Sequence, residues 1–276
     1  MALNSVNTNV GAQIALQSLQ VTNRELDEVQ SRISTGKRIA SAKDNGAIFA
    51  IAQGQRADIG ALNAVKDSLN RGQSAVDVAL SGGESVSNLL IQLKEKALAA
   101  TDASLTTSAR TALNEDFKSL RDQITTVVSN SAFNGFNLLN NSNTLGFRAL
   151  ANAAGTTITV QDENLSLGGA NVTLAATTTI GTAALATTAL GLVNASINNV
   201  SAGLARLGTG SNSFGTHLTF IGKLQDTLEA GVGNLVDADL AKESARFQSL
   251  QTKQQLGVQA LSIANSSSSI LLGLFR

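Results

Sequence analysis

The stretch VNASINNVSAGLARLGTGSNSFGTHLTFIGKLQDTLEAGVGNL, running from Val193 to Leu235, decides the fold. Val193, Ile197, Val200, Leu204, Leu207, Phe214, Leu218, Ile221, Leu228, Val232 and Leu235 recur in alternating steps of four and three, and only Ser211 and Gln225 put polar side chains on the same register. Such steps place the large side chains on one narrow stripe, the pattern of a helix packed lengthwise on another helix. Gly208-Thr-Gly210 reads as a weak point or bend inside it. No Gly-Lys-Ser/Thr follows these glycines, so they do not form a phosphate-binding loop.

Other stripes lie to either side. Ala12, Ala15, Leu19, Thr22, Leu26, Val29 and Ile33 predict a first helix with the same spacing, stopping near Gly36, and its opposite face carries Arg24, Glu25, Asp27 and Glu28 as a solvated surface. Residues 43–54 read as a loop. A longer helix is expected from about Gln55 to Ala100, with Leu62, Leu69, Val76, Gly83, Leu90 and Ala97 at sevens and a bend allowed at Gly82-Gly83. Leu113, Phe117, Leu120, Ile124 and Val127 make a third helix, starting at Asp102 or Ser108, and Phe133-Asn-Gly-Phe then signals a turn. From Asn140 to about Thr188 the chain is rich in Ala, Thr, Gly and Asn, and Thr156–Val160 and Asn171–Leu174 alternate like short strands. After Asp237 and Asp239 a last helix carries Leu240, Phe247, Leu250, Leu261, Ala264 and Leu271, with Glu243, Gln254, Gly257 and Ser268 in the gaps.

The fold class is therefore mainly α: long nested helices forming a coiled-coil rod that pairs N- and C-terminal segments, with a small β-containing insertion. Residues 1–42 and 236–276 are expected as terminal helices, 43–142 and 186–235 as a helical rod domain, and 143–185 as the insertion. Leu62, Leu69, Val76, Leu90, Leu113, Phe117, Leu120, Ile124, Val200, Leu204, Leu207, Leu218, Ile221 and Leu228 are its packing residues. The seam of the first helix has only four large side chains, Leu19, Leu26, Val29 and Ile33. They are too few to offset the entropy of ordering so long a segment. The terminal segments are expected to be mobile alone and ordered in an assembly, with those four residues and Leu240, Phe247, Leu250, Leu261, Ala264 and Leu271 as the self-assembly core.

Composition removes alternatives. Apolar residues make up 43% of the 276 and aromatics 3%, with no Trp, Tyr, Pro or Cys, so the core must be filled by Leu, Ile, Val and Ala, which suits slender helix–helix contacts. Twenty basic and twenty acidic residues cancel, which argues against a nucleic-acid partner. Without cysteine there is neither disulfide nor thiol chemistry. The start Met1-Ala-Leu-Asn-Ser has no basic and apolar leader, and no apolar run is long enough to span a membrane, signs that alone suggest the cytoplasm.

Nothing points to an enzyme, a cofactor or a metal. His217 is the only histidine, which excludes a multi-histidine site, and between Phe214 and Leu218 it reads as partly buried or exposed helix surface. Asp237, Asp239 and Glu243 could suggest a cation site, but Asp239 with Lys242 and Glu243 with Arg246 fit intrahelical pairs better.

The residues at both ends resemble bacterial flagellin, the subunit of the flagellar filament. Val6-Asn-Thr-Asn9 looks like that family's opening. Arg32-Ile-Ser-Thr-Gly-Lys-Arg-Ile-Ala-Ser-Ala-Lys-Asp44 is similar to its most specific N-terminal motif, with Ala40 where Asn is usual. Ser131-Ala-Phe-Asn-Gly135 with Leu138-Leu139 resembles the turn closing its N-terminal helical block. Gln255-Leu-Gly, Leu261-Ser-Ile-Ala-Asn265 and Leu271-Leu-Gly-Leu-Phe-Arg276 match its closing pattern, with Ser268-Ser269 in place of the usual Pro-Gln.

The resemblance covers roughly residues 1–140 and 190–276 and resembles the short members, with no room for large outer domains. It implies a structural subunit that self-assembles into the extracellular filament used for motility. Terminal helices would form a tubular core, and export would run through the flagellar type III channel without a cleaved signal, which overrides the cytoplasmic reading. The implied partners are copies of the chain, hook-junction and cap proteins, and an export chaperone. A hook–filament junction protein of the same axial family is the alternative, and a cytoplasmic coiled-coil scaffold a more distant one. Gln92 stands where many members carry an arginine read by an innate immune receptor, with Glu95 retained, which implies weak recognition. Some members carry O-linked sugars, for which Thr177, Thr178, Thr179, Thr187 and Thr188 are candidates, the alternative being plain β-propensity and surface polarity.

Overall fold

The computed structural model describes residues 8–142 and 145–273, with side chains described through residue 266. The quoted Val6, Asn7, Leu274, Phe275 and Arg276 lie outside the described residues, and the side chains of Ser268, Ser269 and Leu271 are outside them too.

Helix α1 spans Val10–Thr35. Asn9 starts it by accepting the Ala12 N–H on Oδ1 at 2.9 Å, and Gly36 ends it at φ 68°, a left-handed conformation that glycine adopts without a Cβ penalty. Helix α2 spans Gly46–Ala100, starting nine residues before the expected Gln55. The run Gly46-Ala-Ile-Phe-Ala-Ile-Ala lacks a heptad, yet it holds no helix breaker. Asn45 Oδ1 accepts the Ile48 N–H at 3.1 Å, and Ala52 is fully buried, so the terminus is capped and packed. Helix α3 spans Thr107–Asn130, and its cap is Thr106, whose Oγ1 accepts the Ala109 N–H at 3.2 Å.

The Asn-Gly signal is a hairpin. Strands β1 (Ala132–Phe133) and β2 (Phe136–Asn137) pair across Asn134 and Gly135, both at positive φ (50° and 79°), as the tight turn of a twisted two-stranded ribbon requires. Strands β3 (Phe147–Leu150) and β4 (Thr157–Val160) form a second antiparallel pair, in which Phe147 faces Val160 and Leu150 faces Thr157. Asn171–Leu174, expected as a strand, is not one. Val172 and Leu174 are buried, but Thr173 bonds to the Ser196 hydroxyl and the Leu192 carbonyl of a helix, so the segment has apolar alternation without a ladder partner. Helices α4 (Ala183–Val236) and α5 (Leu240–Gly273) complete the chain.

Residues 58–226 form one compact unit. Within it α2 and α4 run antiparallel: Gln225 donates to the Ile59 carbonyl and Asn63, Gln73 donates to Ser211, and Gly83 lies under Leu204. Helix α3 returns along α2, with Lys96 bound to Asp116 at 2.8 Å and Arg110 accepted by the Ala100 and Asp102 carbonyls. Of the glycines expected to bend these helices, Gly82, Gly83 and Gly210 serve as sockets, whereas Gly208 faces open space. Side chains of Ser131 and Leu139 occupy the space a Cβ on Gly82 would need, and Val160 occupies that of Gly210, while α2 and α4 stay continuous. Phe136, Phe147 and Phe214 meet edge to face, with ring centroids 5.0 and 6.4 Å apart. The insertion is tied to α4 by Glu163, whose buried carboxylate receives Nε and an Nη of Arg206 at 2.6 Å each and the Asn171 amide at 2.9 Å. From the other side Arg121 donates to the Thr178 carbonyl and Asn114 accepts the Ile180 N–H.

Residues 1–57 and 227–276 form the other unit, in which α1 packs on α5. Its two connectors are joined by backbone bonds: Arg38 and Ile39 donate to the Val236 carbonyl and Ala238 donates to that of Gly36. Asp44 folds the first connector, its Oδ2 accepting the N–H groups of Ser41 (2.8 Å) and Ala40 (3.0 Å) and the Ser41 hydroxyl (3.2 Å). Those donors, the Ser41 amide foremost, and then the Arg32 charge hold its pKa below the ordinary carboxylate value of 3.8. A depressed carboxylate contributes order above its unfolded pKa and loses it as pH falls through the folded value. The Ala40 and Ser41 amide resonances are therefore expected to shift together in acid at that lowered value. In Asp44→Asn the step should vanish, and its persistence would assign the turn to another group.

Candidate assembly surface

In the α1–α5 pair, local helix propensity sets the elements and side-chain pairs set their register. The Asn9 amide reaches the Ala264 carbonyl at 2.7 Å, Gln254 donates to Asn23 at 2.8 Å, and Arg32 faces Glu243 at 3.4 Å. A Cβ on Gly257 would meet the Leu19 side chain at 3.3 Å. On α1 every seam position from Ala12 to Ile33 is less than fully exposed, and Thr22 and Val29 are buried.

Three gaps in the α5 stripe, Glu243, Gln254 and Gly257, thus face α1. This corrects the intrahelical reading of two pairs. Glu243 bonds across to Arg32, which also holds Glu28, instead of to Arg246. Asp239 caps α5, its Oδ1 accepting the N–H groups of Ala241 and Lys242 at 3.1 Å each. An acceptor immediately before a helix satisfies otherwise unpaired N–H groups of its first turn and outcompetes a solvated ion pair.

The sequence-derived residues fall as follows. Leu250 and Val29 are buried, Leu19, Leu26, Ile33, Phe247, Leu261 and Ala264 are half-buried, and Leu240 is exposed at the start of α5. Leu62, Leu69, Val76, Leu90, Phe117, Ile124, Val200, Leu207 and Ile221 are buried, while Leu113, Leu120, Leu204, Leu218 and Leu228 are half-buried. Thr177, Thr187 and Thr188 are exposed, Thr178 and Thr179 half-buried, and Gln92 and Glu95 exposed.

Heptad reading missed a second set. Val10, Ile14, Leu16 and Val21 on α1, and Leu256, Val258 and Ile263 on α5, leave 40–63% of their surface exposed. They lie off the seam that joins the two helices. Their signal in the sequence is an excess of large apolar residues beyond what one stripe needs. Val10, Ile14 and Val21 share one side of α1, and Leu256 and Ile263 one side of α5, and exposed apolar rows of this kind mark surfaces that meet a partner.

His217 donates through Nε2 to the Ala151 carbonyl at 2.6 Å beside Phe220, and among the described residues no group of three or more His, Asp or Glu side chains gathers to hold a metal ion. Among them, too, no helix is long and apolar enough to cross a membrane.

Comparison with known proteins agrees with the helical ends. Residues 6–144 match the bacterial flagellin N-terminal helical region and residues 190–275 the bacterial flagellin C-terminal helical region. The chain is 60% identical over 277 residues to flagellin FljM of Caulobacter vibrioides, covering 100% of both, and 38% identical to a flagellin of Brucella melitensis, covering 99% of both. Among solved structures, a Bacillus cereus flagellin crystal structure aligns at 19% identity and TM-score 0.49, over 56% of this chain and 88% of that one. With both helical regions matched and relatives of this identity spanning the whole chain, the protein belongs to the bacterial flagellin family.

Proposed function

We propose that the chain is a structural subunit that self-assembles with copies of itself into the bacterial flagellar filament. The observation that carries this reading is the pair of exposed apolar rows, Val10, Ile14 and Val21 along one side of α1 and Leu256 and Ile263 along one side of α5, each residue more than a third exposed on a chain of zero net charge. Burying them against a second copy gains about 25 cal/mol per Å² of apolar area, and zero net charge removes long-range repulsion between copies. Family membership supports a structural role in place of an enzymatic one.

Finer assignments extend the same reading. Residues 1–42 and 236–276 form the inner layer, with Leu19, Leu26, Val29, Ile33, Leu240, Phe247, Leu250, Leu261 and Ala264 as its packing residues. Residues 43–142 and 186–235 form the surrounding layer, and 143–185 its insertion. The subunit is secreted, meets hook-junction and cap proteins at the filament's two ends, and is delivered by an export chaperone. Exposed Thr177, Thr187 and Thr188 are the accessible positions for O-linked sugar.

Electron microscopy of the purified chain, before and after addition of filament fragments, tests the proposal. Long uniform tubes that grow from the seeds are the expected result. A persistent monomer or small discrete oligomer would favour a scaffold role, and low abundance in sheared filaments would favour a junction protein. The mass of the same filaments reads the sugars: the bare 28.3 kDa excludes them.

A further inference from the structure

The heptad stripe of α4 has an unresolved degeneracy. Sliding α4 seven residues along α2 returns apolar positions to apolar positions, so the stripe alone does not choose one register. Gln225 does not exclude a slip toward the end of α2 either. Its partner Asn63 is followed one heptad later by Asn70, which offers the same amide.

The discriminating contacts are contrasts of size. Phe214, the only phenylalanine on the stripe, sits over Gly72, where a Cβ would come within 2.9 Å of its ring. One heptad away in either direction that row of α2 carries Val65 or Ala79, both buried. Leu204 likewise occupies the place of a Cβ on Gly83, and the neighbours of Gly83 in its row are Val76 and Leu90, also buried. The polar contact that discriminates in both directions is Gln73 with Ser211, since a slip brings Leu204 or Leu218 to Gln73.

We propose that the glycine sockets at Gly72 and Gly83, with the Gln73–Ser211 bond, are the register-setting residues of the α2–α4 pair, and that they give the unit of residues 58–226 the same length in every copy. The consequence for the filament rests on the assembly reading above, whereas the register is a property of the single chain. A large side chain over a glycine fits in one place and clashes at the next heptad, so the wrong register is penalised without altering the apolar seam.

The chain has no cysteine, so Asp67→Cys and Ser201→Cys, both exposed, take two unique spin labels on α2 and α4. In the soluble monomer one narrow label–label distance is expected. Combining Gly72→Ala, Gly83→Ala, Phe214→Leu and Ser211→Ala evens the seam, and Gln73 keeps Asp77 as an acceptor at 3.2 Å. The distance distribution is then expected to gain a second population displaced by about 10 Å, the rise of seven helical residues. The parent's single distance in that variant would overturn the proposal. Should the evened chain fail to fold, the exchanged pair Gly72→Phe with Phe214→Gly decides. The parent distance there supports socket complementarity, and failure of that chain as well overturns it. Absence of filaments from a monomer with the expected distances would count against the assembly reading alone.

Discussion

Subunits carrying Leu261→Asp, or Leu26→Asp, will remain soluble where the parent chain polymerises. Both side chains are half-buried in the single chain, on α5 and α1, so part of each is already against the facing helix and the rest is available to a neighbouring copy. Replacing such a leucine by aspartate removes about 2–3 kcal/mol of apolar burial and adds the cost of desolvating a carboxylate. Even about 3 kcal/mol raises the concentration needed for growth roughly a hundredfold. Because a filament repeats the contact in every copy, no wild-type neighbour rescues it. Sedimentation of seeded samples measures the outcome, and far-ultraviolet circular dichroism shows that the helices persist. Normal filaments from either variant would remove the terminal helices from the assembly core.

Phe214→Ala is expected to cause the largest loss of stability in the unit formed by residues 58–226. Phe214 is 1% exposed and reaches from α4 to Gly72 of α2 and to the Phe147 ring of β3. Truncation opens a cavity that neither partner fills: Gly72 has no side chain to advance, and Phe147 is held edge-on to Phe136, 5.0 Å away. Substitutions of this kind cost about 3–5 kcal/mol, enough to move the denaturation midpoint of the monomer well outside error while leaving the slope unchanged. A change under about 1 kcal/mol would mean that the site collapses and that the aromatic cluster is peripheral. The two variants separate two properties, since the first spares the folded unit and blocks association and the second weakens the fold itself.

Much of this could be read before the structure. The four–three spacing of Val193 to Leu235 dictates a long helix, Gly36 the stop of α1, and Asn134-Gly135 a hairpin, because each is a local constraint on backbone angles or on the side of a helix that is apolar. The seam of α1, from Ala12 to Ile33, follows from the same spacing, and so does the need of so thin a helix for a partner. What the spacing could not supply is the identity of whatever lies opposite. On α4 the buried row runs Val193, Val200, Leu207, Phe214 and Ile221, then passes to Gln225, Val232 and Val236. A straight helix of 3.6 residues per turn drifts about 20° per heptad against a 3.5-residue pattern, so the contact line depends on the packed geometry.

The remaining differences share that cause. Gly82 and Gly210 read as bends because glycine is flexible in isolation, and they are sockets because Ser131, Leu139 and Val160, distant in sequence, arrive at them. Glu243 is paired in sequence with Arg246, three residues on, but a partner on another helix took its place. Asn171–Leu174 alternates as a strand does, yet a strand needs an unbroken ladder, and here only the two ends bond to other backbone, at Asn164 and Gly168, while Thr173 between them bonds to α4. By itself the sequence determined the helices, their apolar stripes and the positions where they stop. The tertiary structure decided which stripe meets which, at what register and through which polar contacts, because those depend on groups that covalent proximity does not bring together.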